Sequence, residues 1–278
     1  MINLLALAGP AVAVTAYFIF GQPLWATIGL GALTLAGVMV PSWRAAMGLA
    51  RVVFIFCLST FIADVIAEYE HLYRTNAIAE SFNLLSFLVH HRRVGATYPY
   101  SNIFVLTGLL ALFFLSGESW KGLCFGPGQT RQWTRRAFVI GLLFAAVVLA
   151  LFALLPKNLQ SLGVNPVPID WPVDVLIVVG IGYALFSTLM EETIFRSVML
   201  AFSRSHLTLP VAVVAQGVVF GAMHYRVGFP SNAGGAVLAF IWGLLAGWLV
   251  LKAESIYPAF VMHFVVVLTL FVGLIFLQ

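Results

Sequence analysis

The sequence predicts an all-α, polytopic transmembrane helical bundle with about eight or nine spans. Hydrophobic residues make up 62% of the 278-residue chain and charged residues only 9%, with a mean hydropathy of +1.04. Soluble domains are about one-quarter charged, so the lipid bilayer is the solvent and partner that we expect. The net charge of +4 comes from basic residues between apolar runs. Basic residues at such positions set the orientation of a membrane protein in the bilayer, so we do not expect a nucleic acid as a partner.

Nine apolar runs have lengths that approach a membrane span. They cover residues 2–20, 23–40, 46–67, 102–116, 137–155, 173–190, 210–224, 234–251 and 258–277. The first run lacks a basic start and a cleavage site of small residues, so we expect a retained span rather than a signal peptide. Together the runs predict a multi-pass protein of the cell (inner or plasma) membrane.

The least apolar stretch, residues 68–101, predicts a division of the chain. Its short apolar middle, residues 82–88, favours an interfacial amphipathic helix over a span. We therefore expect an N-terminal three-span unit with this interfacial segment, residues 1–101, followed by a core of residues 102–278. Four histidines in polar stretches are interpreted as interface or loop residues: His71, His90, His91 and His206.

The two cysteines, Cys57 and Cys124, do not form metal-binding or redox patterns. Neither belongs to a CxxC or CxxH motif. The sequence therefore predicts no disulfide framework and no structural zinc site.

Two adjacent glutamates, Glu191 and Glu192, lie where an apolar run would otherwise continue. The run before them is as long as a span and the residues after them are compatible with a helix, so one helix is predicted from about residue 173 to 203. The glutamates would then lie about 12 residues, or roughly 18 Å, from its end. Ionisable side chains at that depth are costly and mark a functional site by default.

The two glutamates are expected to have different partners. Glu192 and Arg196 are four residues apart and can pair on one helix face, whereas Glu191 is rotated from Glu192 by about 100°. The Glu192–Arg196 pair could be purely structural, locking helices together, and the sequence leaves that reading open. Glu191 has no cation at such a spacing, which makes it the stronger candidate for a general base.

Two histidines also interrupt apolar runs. His224 ends the sequence Phe220-Gly-Ala-Met-His224, and His263 ends Tyr257-Pro-Ala-Phe-Val-Met-His263. A lone histidine in a span is often only a hydrogen-bonding group between helices. Two histidines on separate runs, in a chain that carries a buried glutamate pair, favour a cluster of all four side chains.

Such a cluster predicts one of two chemistries. Zinc binding uses these ligand types, but the sequence lacks an HExxH-like spacing. In metal-free hydrolysis, a glutamate and a histidine activate water while the second histidine polarises the scissile carbonyl. The sequence also lacks a GxSxG nucleophile motif. We therefore expect an enzyme without a metal ion or another cofactor, with zinc as the minor alternative.

Three motifs follow one another over residues 191–267. They are EExxxR at Glu191–Arg196, FxxxH at Phe220–His224 and the first residue of HxxxN at His263. In this order they resemble the motifs of glutamic intramembrane proteases in the CAAX-processing and bacteriocin-processing (CPBP) group, which is related to the Ras-converting endopeptidase. The resemblance covers roughly residues 118–278.

The resemblance implies a metal-independent, glutamic-type intramembrane protease. By that resemblance Glu191 and His224 would activate the water. Glu192 and Arg196 would position that pair, and His263 would stabilise the oxyanion. It also implies a membrane-tethered protein or peptide as substrate, with C-terminal processing or sorting-signal cleavage as a recurring task in the family.

One position departs from the family pattern. Val267 stands where the family has an Asn that helps the histidine to hold the oxyanion. Loss of such a donor costs about 3–4 kcal/mol of transition-state stabilisation. Asn232, Thr269 or a backbone N–H could replace it; otherwise catalysis is slow or the chain is not catalytic.

Two other functions stay open at this point. Buried Glu and His residues also form the proton relays of coupled transporters, although the sequence shows no inverted repeat and no pair of broken helices. A non-catalytic membrane scaffold related to the protease family is the third reading, and Val267 motivates it.

Overall fold

A computed structural model describes residues 2–40, 43, 48–74, 101–115, 117, 120–154, 172–205, 207–228 and 230–276. All regular secondary structure in these ranges is helical, which confirms the predicted all-α class. The predicted interfacial helix at residues 82–88 lies outside the described residues, as do His90, His91 and His206.

The helices of the described ranges follow the nine predicted apolar runs. They are α1 (Ile2–Val14, continued by a π-helical segment Thr15–Ile19), α2 (Pro23–Met39), α3 (Gly48–Arg74), α4 (Ser101–Leu115), α5 (Thr130–Leu154), α6 (Val173–Arg204), α7 (Leu209–Met223), α8 (Asn232–Ala253) and α9 (Tyr257–Phe276). A short 3-10 helix, Trp120–Leu123, precedes α5.

Four of these helices are long and apolar enough to cross a membrane: Gly48–Ile66, Thr130–Ala150, Val173–Arg204 and Asn232–Ala253. The remaining helices in the described part of the chain are apolar but shorter. Large apolar side chains are exposed along α5 and the first half of α6, for example Leu143 and Val178. Such surfaces are those of a polytopic bundle in lipid rather than in water.

Prolines and left-handed residues define several helix ends. Pro23 and Pro210 lie in the first turns of α2 and α7, where a missing N–H is harmless. Glu254 ends α8 with a φ of 55°. The loop before α5 covers this end, because the N–H of Gln129 donates to the Ala253 carbonyl at 2.8 Å.

Helices α7 and α8 approach closely through glycines. A Cβ at Gly243 would lie 2.9 Å from the Cα of Gly217. A Cβ at Gly221 would lie 2.7 Å from the Ala236 carbonyl oxygen. Small residues of this kind allow membrane helices to pack backbone against backbone. This contact places the C-terminal end of α7, and therefore His224, against the start of α8.

A chain of aromatic rings joins the N-terminal helices to the C-terminal ones. Phe18 contacts Phe56 with centroids 6.0 Å apart, Phe56 contacts Phe195 at 5.5 Å, and Phe195 contacts Phe220 at 4.9 Å. All four side chains are buried in one apolar cluster. The predicted boundary between units 1–101 and 102–278 stays a prediction, and residues on both of its sides contribute to this core.

Arg226 ties the loop after α7 to the end of α1. Its Nε donates to the carbonyl oxygen of Phe18 at 2.7 Å, and a terminal nitrogen donates to that of Ile19 at 3.2 Å. The neighbouring Gly21 has a φ of +62°, and a Cβ there would lie 3.0 Å from the Arg226 guanidinium. The last carbonyls of a helix need such donors because no further turn supplies them.

Replacing Arg226 with Met removes both hydrogen bonds to these carbonyls. We expect a loss of about 1–3 kcal/mol in the free energy of unfolding, in line with hydrogen bonds to charged groups. Thermal unfolding of the full chain in detergent measures it as a lower Tm. The exposed Arg135 on α5 provides the matched control, Arg135→Met. Equal Tm values for the two variants would contradict the anchoring role.

Candidate active site

The central part of α6 is not a regular α-helix. Residues Val173–Glu191 are α-helical, Glu192–Met199 form a π-helical segment, and Leu200–Arg204 return to the α form. The prediction of one continuous helix is confirmed, but the wider π geometry inside it was not foreseen. Segments of this kind are frequent at functional sites. All eight residues of the π segment are buried, so helices surround it on every side.

Glu192 and Arg196 form the ion pair that their spacing predicts. A terminal nitrogen of Arg196 lies 3.3 Å from Glu192 Oε1, and both side chains are buried from solvent. The guanidinium carbon also lies 4.2 Å from the ring centroid of Phe220, in a cation–π contact. The guanidinium nitrogens have no hydrogen-bond acceptor among the described residues, so charge attraction and the aromatic face hold this side chain.

His263 on α9 lies between the two glutamates. Its Nδ1 is 2.7 Å from Glu192 Oε1, and its Nε2 is 3.8 Å from Glu191 Oε2. A carboxylate can only accept a hydrogen bond, so Nδ1 carries the proton that is donated to Glu192. The other ring nitrogen, Nε2, then faces Glu191. The sequence indicated that His263 belongs to the site but not that Glu192 orients it.

His224 caps α7 with a fixed orientation. Its Nδ1 lies 2.9 Å from the Phe220 carbonyl oxygen, which can only accept, so Nδ1 again carries the proton. The second nitrogen, Nε2, faces Gly228, where a Cβ would lie only 3.1 Å away. Gly228 has a φ of +89°, a conformation that favours glycine. The His224 Nε2 thus lies beside a residue that has no side chain.

The Glu191 carboxylate completes the cluster. Its side chain is 3% exposed in the bundle interior. The Ser187 hydroxyl, one turn earlier on α6, lies 3.4 Å from Glu191 Oε1 and can donate to it. His224 is close enough to Glu191, His263 and Arg196 to interact electrostatically with all three.

The structure brings together all five residues that the sequence singled out. They come from three helices: Glu191, Glu192 and Arg196 from α6, His224 from the end of α7, and His263 from α9. Each of them is at least 93% buried. Within the described part of the chain, groups of three or more His, Cys, Asp or Glu side chains with the geometry to hold a metal ion are absent.

The structure places the candidate oxyanion donors Asn232 and Thr269 on α8 and α9. The Thr269 hydroxyl donates to the Val265 carbonyl within its own helix at 2.8 Å. Asn232 is exposed at the start of α8, with a φ of 66°. Trp242 on α8, which the sequence did not single out, lies beside the cluster, with its ring centroid 5.6 Å from that of His263.

An apolar cavity of about 420 Å³ lies apart from these residues. Side chains of α1, α3 and α7 line it, including Pro10, Val53 and Val214. None of the five clustered residues lines this cavity. The apolar cavity and the buried polar cluster are therefore separate features of the bundle.

The comparison with family models gives a finding for the same region. Residues 173–269 match the family model described as "Rce1-like: Type II CAAX prenyl endopeptidase Rce1-like". The match includes the five clustered residues and most of α6 to α9. No curated protein and no solved structure matches the chain.

Replacing Arg196 with Met leaves the Glu192 charge buried without its cation. Such a break costs about 3–5 kcal/mol of stability, so we expect a large fall in Tm in lipid nanodiscs. The double variant Glu192→Gln with Arg196→Met removes the buried charge and keeps an acceptor for His263. We expect the double variant to have a higher Tm than Arg196→Met alone. Arg204→Met, at the end of α6, is the control, and a double variant less stable than Arg196→Met would contradict the pairing.

Proposed function

We propose that this protein is an intramembrane endopeptidase, because residues 173–269 match the family model of Rce1-like type II CAAX prenyl endopeptidases. It hydrolyses peptide bonds in membrane-associated protein substrates. The observation that carries the proposal is the convergence of Glu191, Glu192, His224 and His263 in the interior of an apolar bundle. Charged groups are kept at such positions for function.

In the proposed mechanism Glu191 is the general base. The Glu191 carboxylate and the Nε2 lone pair of His224 both accept hydrogen bonds from one water molecule. As the water oxygen attacks the scissile carbonyl carbon, one water proton passes to Glu191 and the C=O π electrons move to the carbonyl oxygen. When this oxyanion collapses, the C=O bond re-forms and the C–N bond breaks. The departing nitrogen takes the proton from Glu191, which restores the carboxylate.

Glu192 and Arg196 act as positioning residues in this mechanism. The carboxylate of Glu192 accepts the Nδ1 proton of His263 and holds its Nε2 toward Glu191. The Arg196 charge stabilises that carboxylate in the apolar interior. Such an arrangement preorganises the site, because its side chains need not rearrange when charge develops in the transition state.

The expected substrate is a protein or peptide tethered to the membrane, because the scissile bond must reach a buried site within the bundle. The description of the family model points to C-terminal processing, with CAAX or related sorting signals as the substrate class. The four long apolar helices make this a membrane protein, and we propose the inner or plasma membrane as its location. No cofactor, metal ion or nucleic acid takes part in the proposed reaction.

The central test uses the purified full-length protein in liposomes. Two substrates are offered: a peptide with a farnesylated C-terminal CAAX sequence, and a peptide anchored by a transmembrane helix. Mass spectrometry locates the cleaved bond. We expect Glu191→Gln and His224→Ala each to reduce kcat at least 100-fold, in line with loss of general base catalysis.

The matched control for this test is Glu254→Gln, at the turn after α8, which should keep wild-type activity. A fully active Glu191→Gln or His224→Ala variant would overturn the mechanism. Proton flux that depends on Glu191, without cleavage, would indicate a transporter instead. If the protein shows neither cleavage nor proton flux, the result would indicate a non-catalytic scaffold. A rate that falls with a zinc chelator and returns with zinc would favour metal chemistry.

Gly228→Ala provides a second test of the His224 assignment. The added Cβ would lie 3.1 Å from His224 Nε2 and should hinder the approach of water. Gly117 has a similar φ of +78° with open space around its Cβ position, so Gly117→Ala carries the backbone strain alone. We expect both variants to have a similarly lowered Tm but only Gly228→Ala to lose kcat. An equal effect on kcat would exclude a direct role for Nε2.

A further inference from the structure

Trp242 has a buried hydrogen-bond donor without an acceptor. Its side chain is 9% exposed, and its indole Nε1 has no hydrogen-bond partner among the described residues. An indole N–H can only donate, and a buried donor that stays unpaired is costly. Trp242 therefore retains a free donor inside the bundle, next to the residues of the site.

The position of this donor is set by two ring contacts. The indole of Trp242 packs against the His263 ring at 5.6 Å with an interplanar angle of 60°. It also contacts Phe144 of α5 in a T-shaped arrangement at 5.1 Å. His263 in turn contacts Phe220 at 6.4 Å. The indole is thus held between α5 and the imidazole that faces Glu191.

The donor groups of the two histidines and Arg196 are held by other contacts. Both histidines donate their Nδ1 protons to internal acceptors, Phe220 O for His224 and Glu192 Oε1 for His263. Val267, one helical turn after His263, has no polar group. Arg196 has N–H groups but is held against Glu192 and the face of Phe220.

We propose that the indole N–H of Trp242 donates to the oxyanion of the tetrahedral intermediate. This inference rests on the proposed hydrolytic function and deepens it by naming a catalytic residue. When water adds to the scissile carbonyl, the C=O π pair moves to oxygen and the indole N–H donates to that oxygen. When the C–N bond breaks, the pair re-forms the C=O bond and the N–H is released unchanged. Removal of one such donor lowers kcat by about 10²–10³-fold.

The experiment compares Trp242→Phe with Trp248→Phe in the liposome cleavage assay. Phenylalanine keeps an aromatic ring but removes the N–H. Trp248 is on the same helix and contacts Trp133, so its replacement is the matched control. We expect Trp242→Phe to lose kcat by about 10²–10³-fold with KM within about threefold of wild type, and Trp248→Phe to stay near wild type.

Two further measurements separate a donor from a merely structural ring. A peptide phosphinate, which imitates the anionic tetrahedral intermediate, should bind Trp242→Phe at least tenfold more weakly, while an uncleaved substrate peptide should bind equally well. Introducing Val267→Asn should restore more activity in the Trp242→Phe background than it adds to the wild type.

The outcomes distinguish this inference from the function on which it rests. A wild-type kcat in Trp242→Phe, or a loss confined to KM, overturns the role of Trp242 alone when cleavage still depends on Glu191 and His224. Equal phosphinate affinity for Trp242→Phe and wild type also overturns it. A wild-type protein that cleaves neither substrate overturns the proposed function and this inference together.

Discussion

The charge of Glu192 in the interior of an apolar bundle is the constraint on which the site depends. This side chain is fully buried, and an isolated carboxylate at that depth would be very unfavourable. Two partners converge on one of its oxygens, the Arg196 guanidinium at 3.3 Å and the His263 imidazole at 2.7 Å. The same contacts that stabilise the charge also fix the orientation of His263. Stability of the bundle and geometry of the site are therefore coupled through one carboxylate.

The π-helical segment begins at Glu192, and the rest of the bundle encloses it. Eight consecutive buried residues cannot belong to an amphipathic helix at the bundle surface, because such a helix has an exposed face. The N-terminal helices lie outside the family match, yet Phe56 of α3 packs directly on Phe195 of the segment. Helices α7 and α8 close the opposite side through glycine contacts. The enclosure thus involves both the matched region and the helices that precede it.

Much of the fold was predictable because hydropathy reports where a chain must avoid water. All nine predicted runs coincide with helices, although α5 begins at Thr130 rather than near residue 137. Arg131 and Arg135 extend that helix on an exposed side, which a search for apolar residues cannot detect. The membership of Glu191, Glu192 and the two histidines in one cluster was predictable for a related reason. Ionisable side chains are rare in apolar runs. Because burying one of them alone is costly, those that occur there are expected to pair with one another.

Contacts between distant parts of the chain were not predictable in the same way. Glu192 and His263 are 71 residues apart, and spacing along the sequence says nothing about which atoms meet. The short i, i+4 spacing predicted only the Glu192–Arg196 pair. Trp242 also gave no signal, because a tryptophan in an apolar run is ordinary. Its free N–H becomes informative only when its neighbours are known.

The sequence by itself determined the class of this protein, an all-α membrane bundle, and singled out the polar residues that the structure brings together. The hydrophobicity of a residue and the cost of burying its charge are local properties, which do not depend on the tertiary fold. Only the tertiary structure decided which nitrogen of each histidine donates a hydrogen bond and which glutamate accepts the one from His263. It also decided that the indole N–H of Trp242 has no acceptor among the described residues. Those features depend on directions and distances between helices. They are set by contacts between helices, such as the backbone approach of Gly217 and Gly243, which no periodicity in the chain specifies.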